Sequence, residues 1–482
     1  MLFNSLAYAV FLPVVFLLYW FVFSRNVRWQ NLFIVAASYL FYGWWDWRFL
    51  LLIAFTSLCT YACGILIHKY RNLPRKAKLF SVLNIVVNLL VLGVFKYYDF
   101  FATSFADVFL RGRVDGLLLH LVLPVGISFY TFKALSYSID VYRGKLEPTR
   151  DVVQLLAFVG FFPELLAGPI DRATGLLPQF AKPRTFDYET GIDGLRQFLW
   201  GLFKKIAVAD TCAVYVDQVL SPGTSPSGST VLLASILYSF QIYGDFSGYS
   251  DMAIGTGKLF GIRLMRNFDV PYFSRDVAEF WRRWHISLTT WFRDYVYIPL
   301  GGSRCSKGKI VRNTFVIFLL SGLWHGANWT FLAWGAYHAL LFLPLILLGK
   351  NRKYRDVVAQ DRVLPSWKEV GQMLSVFILV TVGWILFRAD DIAQAWTWLR
   401  TICSRSLFSV PASLTSRTFV PIAVYLTMLV SIEWFQRKRE HALKPFAGKR
   451  VANTLFYLAV LVAVFAAAVS AQGDRAFIYF QF

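Results

Sequence analysis

The chain has 482 residues, of which 57% are hydrophobic and only 16% are charged, and its mean hydropathy is +0.51. Soluble domains carry about 25% charged residues, so this composition excludes a soluble, disordered or collagen-like protein. The net charge of +21 comes from short basic tracts between apolar runs. We attribute these tracts to membrane orientation rather than to nucleic-acid binding, since no nucleic-acid recognition module is present. The sequence therefore predicts an all-α protein that crosses a membrane many times.

Apolar runs predict about 11 to 13 membrane segments within a single membrane domain over residues 1–482, because about 20 apolar residues cross a bilayer as a helix. The first run, Leu6–Phe23, has no basic residues before it and no small-residue cleavage site after it, so we expect a span rather than a signal peptide. Further spans are expected near 31–45, 49–67, 79–95, 117–140, 151–168, 230–250, 329–348, 370–387, 419–435 and 453–470. Three shorter or more amphipathic pieces lie near 192–216, 275–298 and 313–324.

The distribution of Lys and Arg predicts the orientation of the chain. Four basic tracts are expected on the cytoplasmic side, at 24–30, 68–78, 349–368 and 436–450. The loop at 96–115 has matched acidic and basic residues and is expected outside. Both termini, including the tail Gly473–Phe482, are then expected to face the periplasm or the cell exterior.

His325 is the first candidate for a functional residue. It follows the apolar piece 313–324, in the sequence LWHGAN at 323–328. Twelve helical residues rise about 18 Å, less than the hydrocarbon core of about 30 Å, so we expect His325 to lie within the membrane depth. Gly322 and Gly326 would allow the backbone to bend or pack closely there. A buried imidazole needs polar partners or a water-filled cavity, so His325 either is functional or bridges two helices.

His285 is the second candidate, in the sequence FWRRWHISL at 280–288. On a helical period the aromatic residues of 275–298 form one stripe, with Glu279 and Arg283 on the opposite face. We therefore expect an amphipathic helix that lies at the interface or lines a cavity. His285 would lie at the edge of the stripe, where a structural and a catalytic role are equally open.

Two carboxylates interrupt an apolar span in the sequence YGDFSGYSD at 243–251. Asp245 and Asp251 could orient a histidine or pair with Arg282 or Arg283. They could equally form a buried polar network that fixes helix packing.

A basic, glycine-containing tract at 301–309 reads GGSRCSKGK. Its side chains Arg304, Lys307 and Lys309 could bind the phosphates of a nucleotide-like donor, or could simply hold a cytoplasmic loop on its side of the membrane. The tract does not match the P-loop pattern. The five cysteines show no metal-ligand or disulfide spacing, so we expect no metal site.

Three sequence blocks at 245–338 together resemble one family. They are DFSGYSDMAIG (245–255), RNFDVPYFSRDVAEFWRRWHISLTTWFRDYVYIPLGG (266–302) and LSGLWHGANWTFLAWGAYH (320–338). The shorter pieces LPVGISFYTF (123–132), LLAGPIDR (165–172) and FIYFQF (477–482) agree with them. The pattern covers essentially the whole chain and resembles the membrane-bound O-acyltransferases, in particular the bacterial branch that O-acetylates alginate.

The resemblance implies a multi-helix fold around a central cavity open to both sides of the bacterial inner membrane. In such proteins the histidine of the WHG block, here His325, is the essential catalytic residue, and the histidine that corresponds to His285 lies on the other side of the reaction path. Supporting or substrate-binding roles are then expected for Asp245, Asp251, Arg283, Trp324 and Asn328, and donor contacts for Arg304, Lys307 and Lys309.

The resemblance also implies the chemistry. An acetyl group is taken from a cytoplasmic thioester, acetyl-CoA or another acyl thioester, and is passed outward for O-acetylation of a polysaccharide, completed by a separate exported acetyltransferase. No permanently bound cofactor is expected. A neutral imidazole, with an ordinary pKa of about 6.5, suits proton removal from a hydroxyl. His325 is therefore the expected general base, and His285 a second base, an orienting residue or a thioester contact.

Several other functions remain open at this point. The D-alanyl transfer proteins of teichoic acid share these blocks, and O-acetylation of peptidoglycan or cellulose would use the same mechanism. A small-solute transporter or a non-catalytic scaffold would fit the topology but not the acyltransferase blocks. Acyl transfer is the function that the sequence favours.

Overall fold

A computed structural model describes residues 1–112, 114, 116–221, 223–412, 415–446, 448–470, 475 and 477–478, with only the backbone of Arg417. Every regular element within these ranges is helical, which confirms the predicted all-α class. The chain forms two compact units. Unit 1 comprises Met1–Leu195 and Ala253–Met265, and unit 2 comprises Arg196–Met252 and Arg266–Phe482. This division does not decide whether 1–482 is one membrane domain, which stays a prediction.

The helices of the first part of the chain are α1 (Leu6–Leu17), α2 (Val27–Gly43), α3 (Arg48–Lys69), α4 (Pro74–Leu92), α5 (Tyr98–Phe109), α6 (Ile127–Tyr142), α7 (Val152–Gly160), α8 (Phe162–Leu165), α9 (Ala173–Phe180), α10 (Tyr188–Leu202), α11 (Asp210–Val219) and α12 (Gly228–Leu259). Short π-helical segments follow α1, α4 and α10, at Leu18–Val22, Gly93–Tyr97 and Phe203–Ala209. Such segments are often found at functional sites.

The remaining helices belong to unit 2. They are α13 (Val277–Arg283), α14 (Ile286–Phe292), α15 (Lys307–His325), α16 (Trp329–Leu347), α17 (Trp367–Arg388), α18 (Ile392–Ile402), α19 (Ser416–Gln436) and α20 (Arg450–Ser470). A π-helical segment, Arg293–Tyr297, follows α14, and 3₁₀ turns lie at Pro271–Phe273 and Arg405–Phe408.

Six helical stretches among the described residues are long and apolar enough to cross a membrane, so the chain is a multi-pass membrane protein. They are Arg48–Lys69, Pro74–Phe109, Trp329–Leu347, Trp367–Arg388, Thr418–Gln436 and Arg450–Ser470. Each overlaps a predicted span. The apolar helix Leu6–Val22 is shorter. Most of the predicted external tail, Gly473–Phe482, lies outside the described residues.

Two of the predicted spans have the wrong extent. The span expected at 117–140 begins at Ile127, after Gly126, which has a φ of 78° and lies so close to unit 1 backbone that an added Cβ would be 2.1 Å from the Leu165 carbonyl oxygen. The span expected at 151–168 is two helices, α7 and α8, because Pro163 in the first turn of α8 has no N–H to continue the hydrogen bonds of α7.

α12 runs unbroken for 32 residues, so the polar stretch 243–251 and the span predicted near 230–250 lie within one helix. The two glycines of this stretch allow close packing. A Cβ added to Gly248 would lie 2.7 Å from the Gly201 carbonyl oxygen, and one added to Gly244 would lie 2.8 Å from the Lys204 carbonyl oxygen.

α15 is longer than the sequence indicated. It has 19 residues and rises about 28 Å, so the argument from a short piece at 313–324 is wrong. The close packing predicted at Gly322 is present, since a Cβ there would lie 2.2 Å from the Phe331 carbonyl oxygen. A Cβ on Gly335 would likewise lie 2.4 Å from the Phe318 carbonyl oxygen. Gly322 and Phe318 lie in α15, and Phe331 and Gly335 lie in α16, so α15 and α16 are antiparallel neighbours in direct backbone contact.

Candidate active site

His285 lies at a break between α13 and α14, so the single amphipathic helix predicted over 275–298 is wrong. The backbone of His285 has a φ of 43°, in the left-handed region that residues with a side chain rarely adopt. Conformations of this kind persist only where the surroundings fix them, and they cluster at functional sites.

Asn267 provides the hydrogen bonds that hold His285. The Asn267 Oδ1 lies 3.0 Å from His285 Nδ1 and accepts from the Ser287 hydroxyl at 2.9 Å. The Ile286 N–H donates to the Asn267 carbonyl oxygen at 2.9 Å. The His285 ring is buried, and within the described ranges its Nε2 has no hydrogen-bond partner. Burial also lowers the pKa of His285, so the neutral imidazole is favoured.

His325 is the last residue of α15 and is 3% exposed. Its ring centroid lies 6.2 Å from that of His285, so unit 2 brings together the two histidines that the sequence singled out. Trp334 and Phe387 pack against it with centroids at 5.1 and 5.3 Å. The His325 imidazole is therefore packed between large aromatic side chains.

Aromatic rings surround both imidazoles. Trp324 touches both, with ring centroids 5.6 Å from His285 and 5.0 Å from His325. Phe246 lies edge-on to His285 at 4.6 Å, and Phe268 faces it at 6.4 Å. These rings keep bulk water from the pair and add no charge, which suits chemistry on a water-sensitive ester.

Asp245 and Asp251 pair with lysines. Asp245 Oδ1 lies 2.8 Å from Lys205 Nζ, and Asp251 Oδ2 lies 2.5 Å from Lys204 Nζ. In the part of the chain that the structure describes, neither carboxylate contacts a histidine or an arginine of the FWRRWHISL block, so these two expected pairings are wrong. Both aspartates instead belong to a buried polar network, which was the other possibility that the sequence left open.

Arg283 is buried and forms ion pairs, so it does not lie on the exposed polar face of an amphipathic helix. Its guanidinium lies 3.0 Å from Glu279 Oε1 and 2.7 Å from Asp269 Oδ2. The Asp269 N–H also donates to the Arg283 carbonyl oxygen at 3.0 Å. These contacts tie α13 to the loop that carries Asn267, so Arg283 supports the site from a distance.

Asn328 forms the turn that follows His325. Its Oδ1 accepts from the Thr330 N–H at 3.0 Å and so caps α16, while its Nδ2 donates to the Asp390 carbonyl oxygen at 2.7 Å. Asn328 thus fixes the start of α16 immediately after the histidine.

The basic tract is exposed, with Arg304, Lys307 and Lys309 all at the surface. Its loop has a defined shape, because the Asn313 Nδ2 donates to the carbonyl oxygens of Leu300 and Gly302 at 3.1 and 3.3 Å. The three cationic side chains therefore extend from a backbone whose conformation is held by these hydrogen bonds at the start of α15.

A small polar cavity of about 30 Å³ lies in unit 2. It is lined by Trp200, Lys204, Tyr243, Asp251, Arg266, Phe268, Val270, Glu433, Gln436, Arg439, Glu440, His441 and Ala442. The Tyr243 hydroxyl donates to Glu433 Oε1 at 2.7 Å. His441, in the basic tract 436–450, is only 4% exposed. Phe268 lines this cavity and also faces His285.

Four residues of this region were missed by the sequence analysis: Asn267, Lys204, Lys205 and Glu433. A signal existed for the lysines, which lie side by side in the apolar piece 192–216. Glu433 near the end of an apolar span was a similar signal. Asn267 has none of its own, since its partners are remote in the sequence.

Two buried imidazoles in a multi-pass membrane protein form a candidate acid–base site. The family model described as "MBOAT, membrane-bound O-acyltransferase family" matches residues 39–353. The chain belongs to this family and is an O-acyltransferase, as the sequence blocks predicted.

The chain is also similar to curated proteins. It is 43% identical to a probable alginate O-acetylase of Pseudomonas aeruginosa, over 82% of this chain and 74% of that protein. It is 38% identical to a probable alginate O-acetylase of Azotobacter vinelandii, over the whole of both chains. A peptidoglycan O-acetyltransferase of Helicobacter pylori is 35% identical, over 82% of this chain and 78% of that protein.

Proposed function

We propose that this protein takes an acetyl group from a cytoplasmic thioester, acetyl-CoA, and passes it across the bacterial inner membrane for O-acetylation of an exported, alginate-like polysaccharide. The observation that carries the proposal is the buried pair His285 and His325, with ring centroids 6.2 Å apart. The similarity to two alginate O-acetylases supports the acetyl group and the kind of polymer.

His325 acts as the general base in this proposal. It takes the proton from an acceptor hydroxyl while the hydroxyl oxygen attacks the thioester carbonyl carbon. The bond between that carbon and sulfur then breaks, and the imidazolium returns its proton to the leaving thiolate. The products are an oxygen ester and a free thiol, with no net gain or loss of protons. The hydroxyl belongs to the polysaccharide or to the exported acetyltransferase that completes the transfer.

The donor is proposed to enter from the cytoplasmic side. Two features support this direction: the exposed basic tract at 301–309, and the polar cavity whose lining includes Arg439 and His441 from the tract expected in the cytoplasm. A cavity of about 30 Å³ holds a water molecule or two and not a thioester arm. Entry of the donor through this cavity therefore requires the cavity to widen.

O-acetylation of peptidoglycan is the second candidate, because the Helicobacter pylori relative is named for that activity. It would use the same donor and the same two histidines. The difference lies in the acceptor, which this chain meets on the outer side of the membrane or through its exported partner.

Two measurements test the proposal. Purified protein in proteoliposomes should release free thiol from acetyl-CoA and transfer the acetyl group to a polymer or partner on the opposite side. Mass spectrometry of cell-surface polymer, with and without the protein, should show acetyl esters on an alginate-like polysaccharide. Acetylated peptidoglycan would favour the second candidate, D-alanyl esters would contradict acetyl transfer, and solute movement without thioester cleavage would indicate a transporter.

A further inference from the structure

We propose that Asn267 is a positioning residue that fixes His285 in the tautomer with its proton on Nδ1, so that Nε2 presents a lone pair to the reacting groups. The consequence for catalysis rests on the proposed acyl transfer, whereas the tautomer itself does not. The proposal assigns a role to a residue that the sequence analysis did not single out.

The backbone of Ser287 determines which end of the Asn267 side chain faces His285. Its N–H lies 3.3 Å from Asn267 Oδ1, and an N–H can only donate, so the amide oxygen and not the amide nitrogen lies there. The same oxygen is 3.0 Å from His285 Nδ1. An oxygen acceptor at that distance requires Nδ1 to carry the proton. In a neutral imidazole the other nitrogen, Nε2, is then the unprotonated one.

Asn267 is well placed to hold this arrangement rigidly. It is fully buried, and its Nδ2 donates to the Ser250 hydroxyl of α12 at 3.2 Å. Its carbonyl oxygen accepts from the Ile286 N–H at 2.9 Å, which secures the strained turn of His285. Both ends of the amide and its backbone are thus fixed, and the position of Oδ1 is set before any substrate arrives.

The tautomer selects among the roles open to His285. A lone pair on Nε2 can accept a hydrogen bond or a proton from a hydroxyl or a thiol, but it cannot donate to a thioester carbonyl oxygen. His285 is therefore a second base or an orienting residue for a group that bears hydrogen, and not a donor to the carbonyl. Among the described residues, the titratable side chain that packs near the His285 ring is His325, with ring centroids 6.2 Å apart.

Nitrogen-15 NMR of the full chain in lipid bilayers tests the proposal directly. Histidine-labelled protein gives distinct resonances for protonated and unprotonated ring nitrogens, and comparison with His285→Gln assigns the signals of His285. Asn267→Leu removes the acceptor at similar size, and Asn267→Asp keeps an acceptor but adds a charge. Asn88→Leu is the matched control, since Asn88 is equally buried and its amide donates within α4.

In the wild type and in Asn88→Leu we expect His285 with a protonated Nδ1 and an unprotonated Nε2. Asn267→Leu should mix or reverse these signals and lower transfer by about 10²-fold or more. Asn267→Asp should restore the wild-type tautomer and raise the pH at which Nε2 is protonated by roughly one to three units, because a carboxylate stabilises the imidazolium.

A wild-type His285 with its proton on Nε2 would overturn the proposal, as would Asn267→Leu protein with an unchanged tautomer. A third outcome is also possible: the Asn267 variants change the tautomer as expected, but His285→Gln transfers acetyl groups at the normal rate. This outcome would support Asn267 as the residue that positions His285. That combination would contradict only the part that His285 plays in the proposed reaction, so the two failures are distinguishable.

Discussion

Hydrogen bonds, backbone conformation and aromatic packing all contribute to holding the two histidines. His285 is fixed by hydrogen bonds to Asn267 and by a left-handed backbone turn, a conformation that costs of order 1–3 kcal/mol. His325 lies at the end of a regular helix and is fixed by aromatic packing. The contact at Nδ1 orients the His285 ring, and the aromatic rings around His325 restrict the space open to its imidazole.

Replacement of His285 should be severe. His285→Gln retains a polar side chain of similar size that cannot take up a proton, so transfer should fall by at least about 10²-fold. The measurement is single-turnover acetyl release by purified protein, with size-exclusion behaviour as a check of folding. His68→Ala is the control, because His68 is partly exposed and pairs with Glu147 at 2.9 Å in unit 1. Similar rates for His285→Gln and His68→Ala would contradict a role in the reaction.

At the scale of helices, hydropathy predicted the long spans and failed at breaks set by tertiary contacts. α16, α17 and α20 agree with their expected ranges to within about three residues. The break between α13 and α14 was missed, because the aromatic residues of 280–288 keep a helical period through it. What ends α13 is the loop at Asn267, whose carbonyl oxygen accepts the Ile286 N–H. The sequence pattern around 280–288 gives no sign of this hydrogen bond to a residue earlier in the chain.

The contact between α15 and α16 should be sensitive to one methyl group. Gly335→Ala places a Cβ 2.4 Å from the Phe318 carbonyl oxygen, so the helices must separate and shift His325. Overpacking of this kind costs about 1–3 kcal/mol. We expect a lower unfolding temperature and reduced transfer.

Gly371→Ala is the matched control for this substitution. It is a helical glycine in α17 with no atom within 4 Å of an added Cβ. Equal unfolding temperatures and activities for the two variants would show that the α15–α16 contact can relax without consequence for the site.

The basic tract at the start of α15 should affect donor binding more than chemistry. Replacing Arg304, Lys307 and Lys309 with Gln removes three exposed positive charges and should raise the KM for acetyl-CoA more than it lowers kcat. The same replacement of Arg75, Lys76 and Lys78 in the tract 68–78 is the charge-matched control. An unchanged KM at low ionic strength would assign the tract to membrane orientation alone.

At the scale of the whole molecule, the sequence predicted the family, the membrane class and the two histidines, because each depends on local blocks or composition. It did not predict the partners of those residues. Lys204 and Asp251 are 47 positions apart, and Asn267 and His285 are 18 apart. Which carboxylate meets which cation is decided by packing, so the sequence left the partners of Asp245 and Asp251 open between a histidine or arginine and a buried polar network.

The orientation of the whole chain can be tested with a native cysteine. Cys403 is exposed after α18, in a loop that the Lys and Arg distribution places outside together with both termini. An impermeant maleimide should label Cys403 in spheroplasts, and Cys403→Ser should abolish that signal. In the Cys403→Ser background, Asn72→Cys in the tract 68–78 should be labelled only after the membrane is opened. Labelling at 72 and not at 403 would reverse the orientation.

The central claim is that His325 provides the base for transfer of an acetyl group across the membrane. The most direct test compares wild-type and His325→Ala protein in proteoliposomes, with labelled acetyl-CoA on the cytoplasmic face and a hydroxyl acceptor on the other. The account predicts labelled ester across the bilayer for the wild type, and a loss of at least about 10²–10⁴-fold for a well-folded His325→Ala protein. Transfer by His325→Ala at the wild-type rate would contradict it.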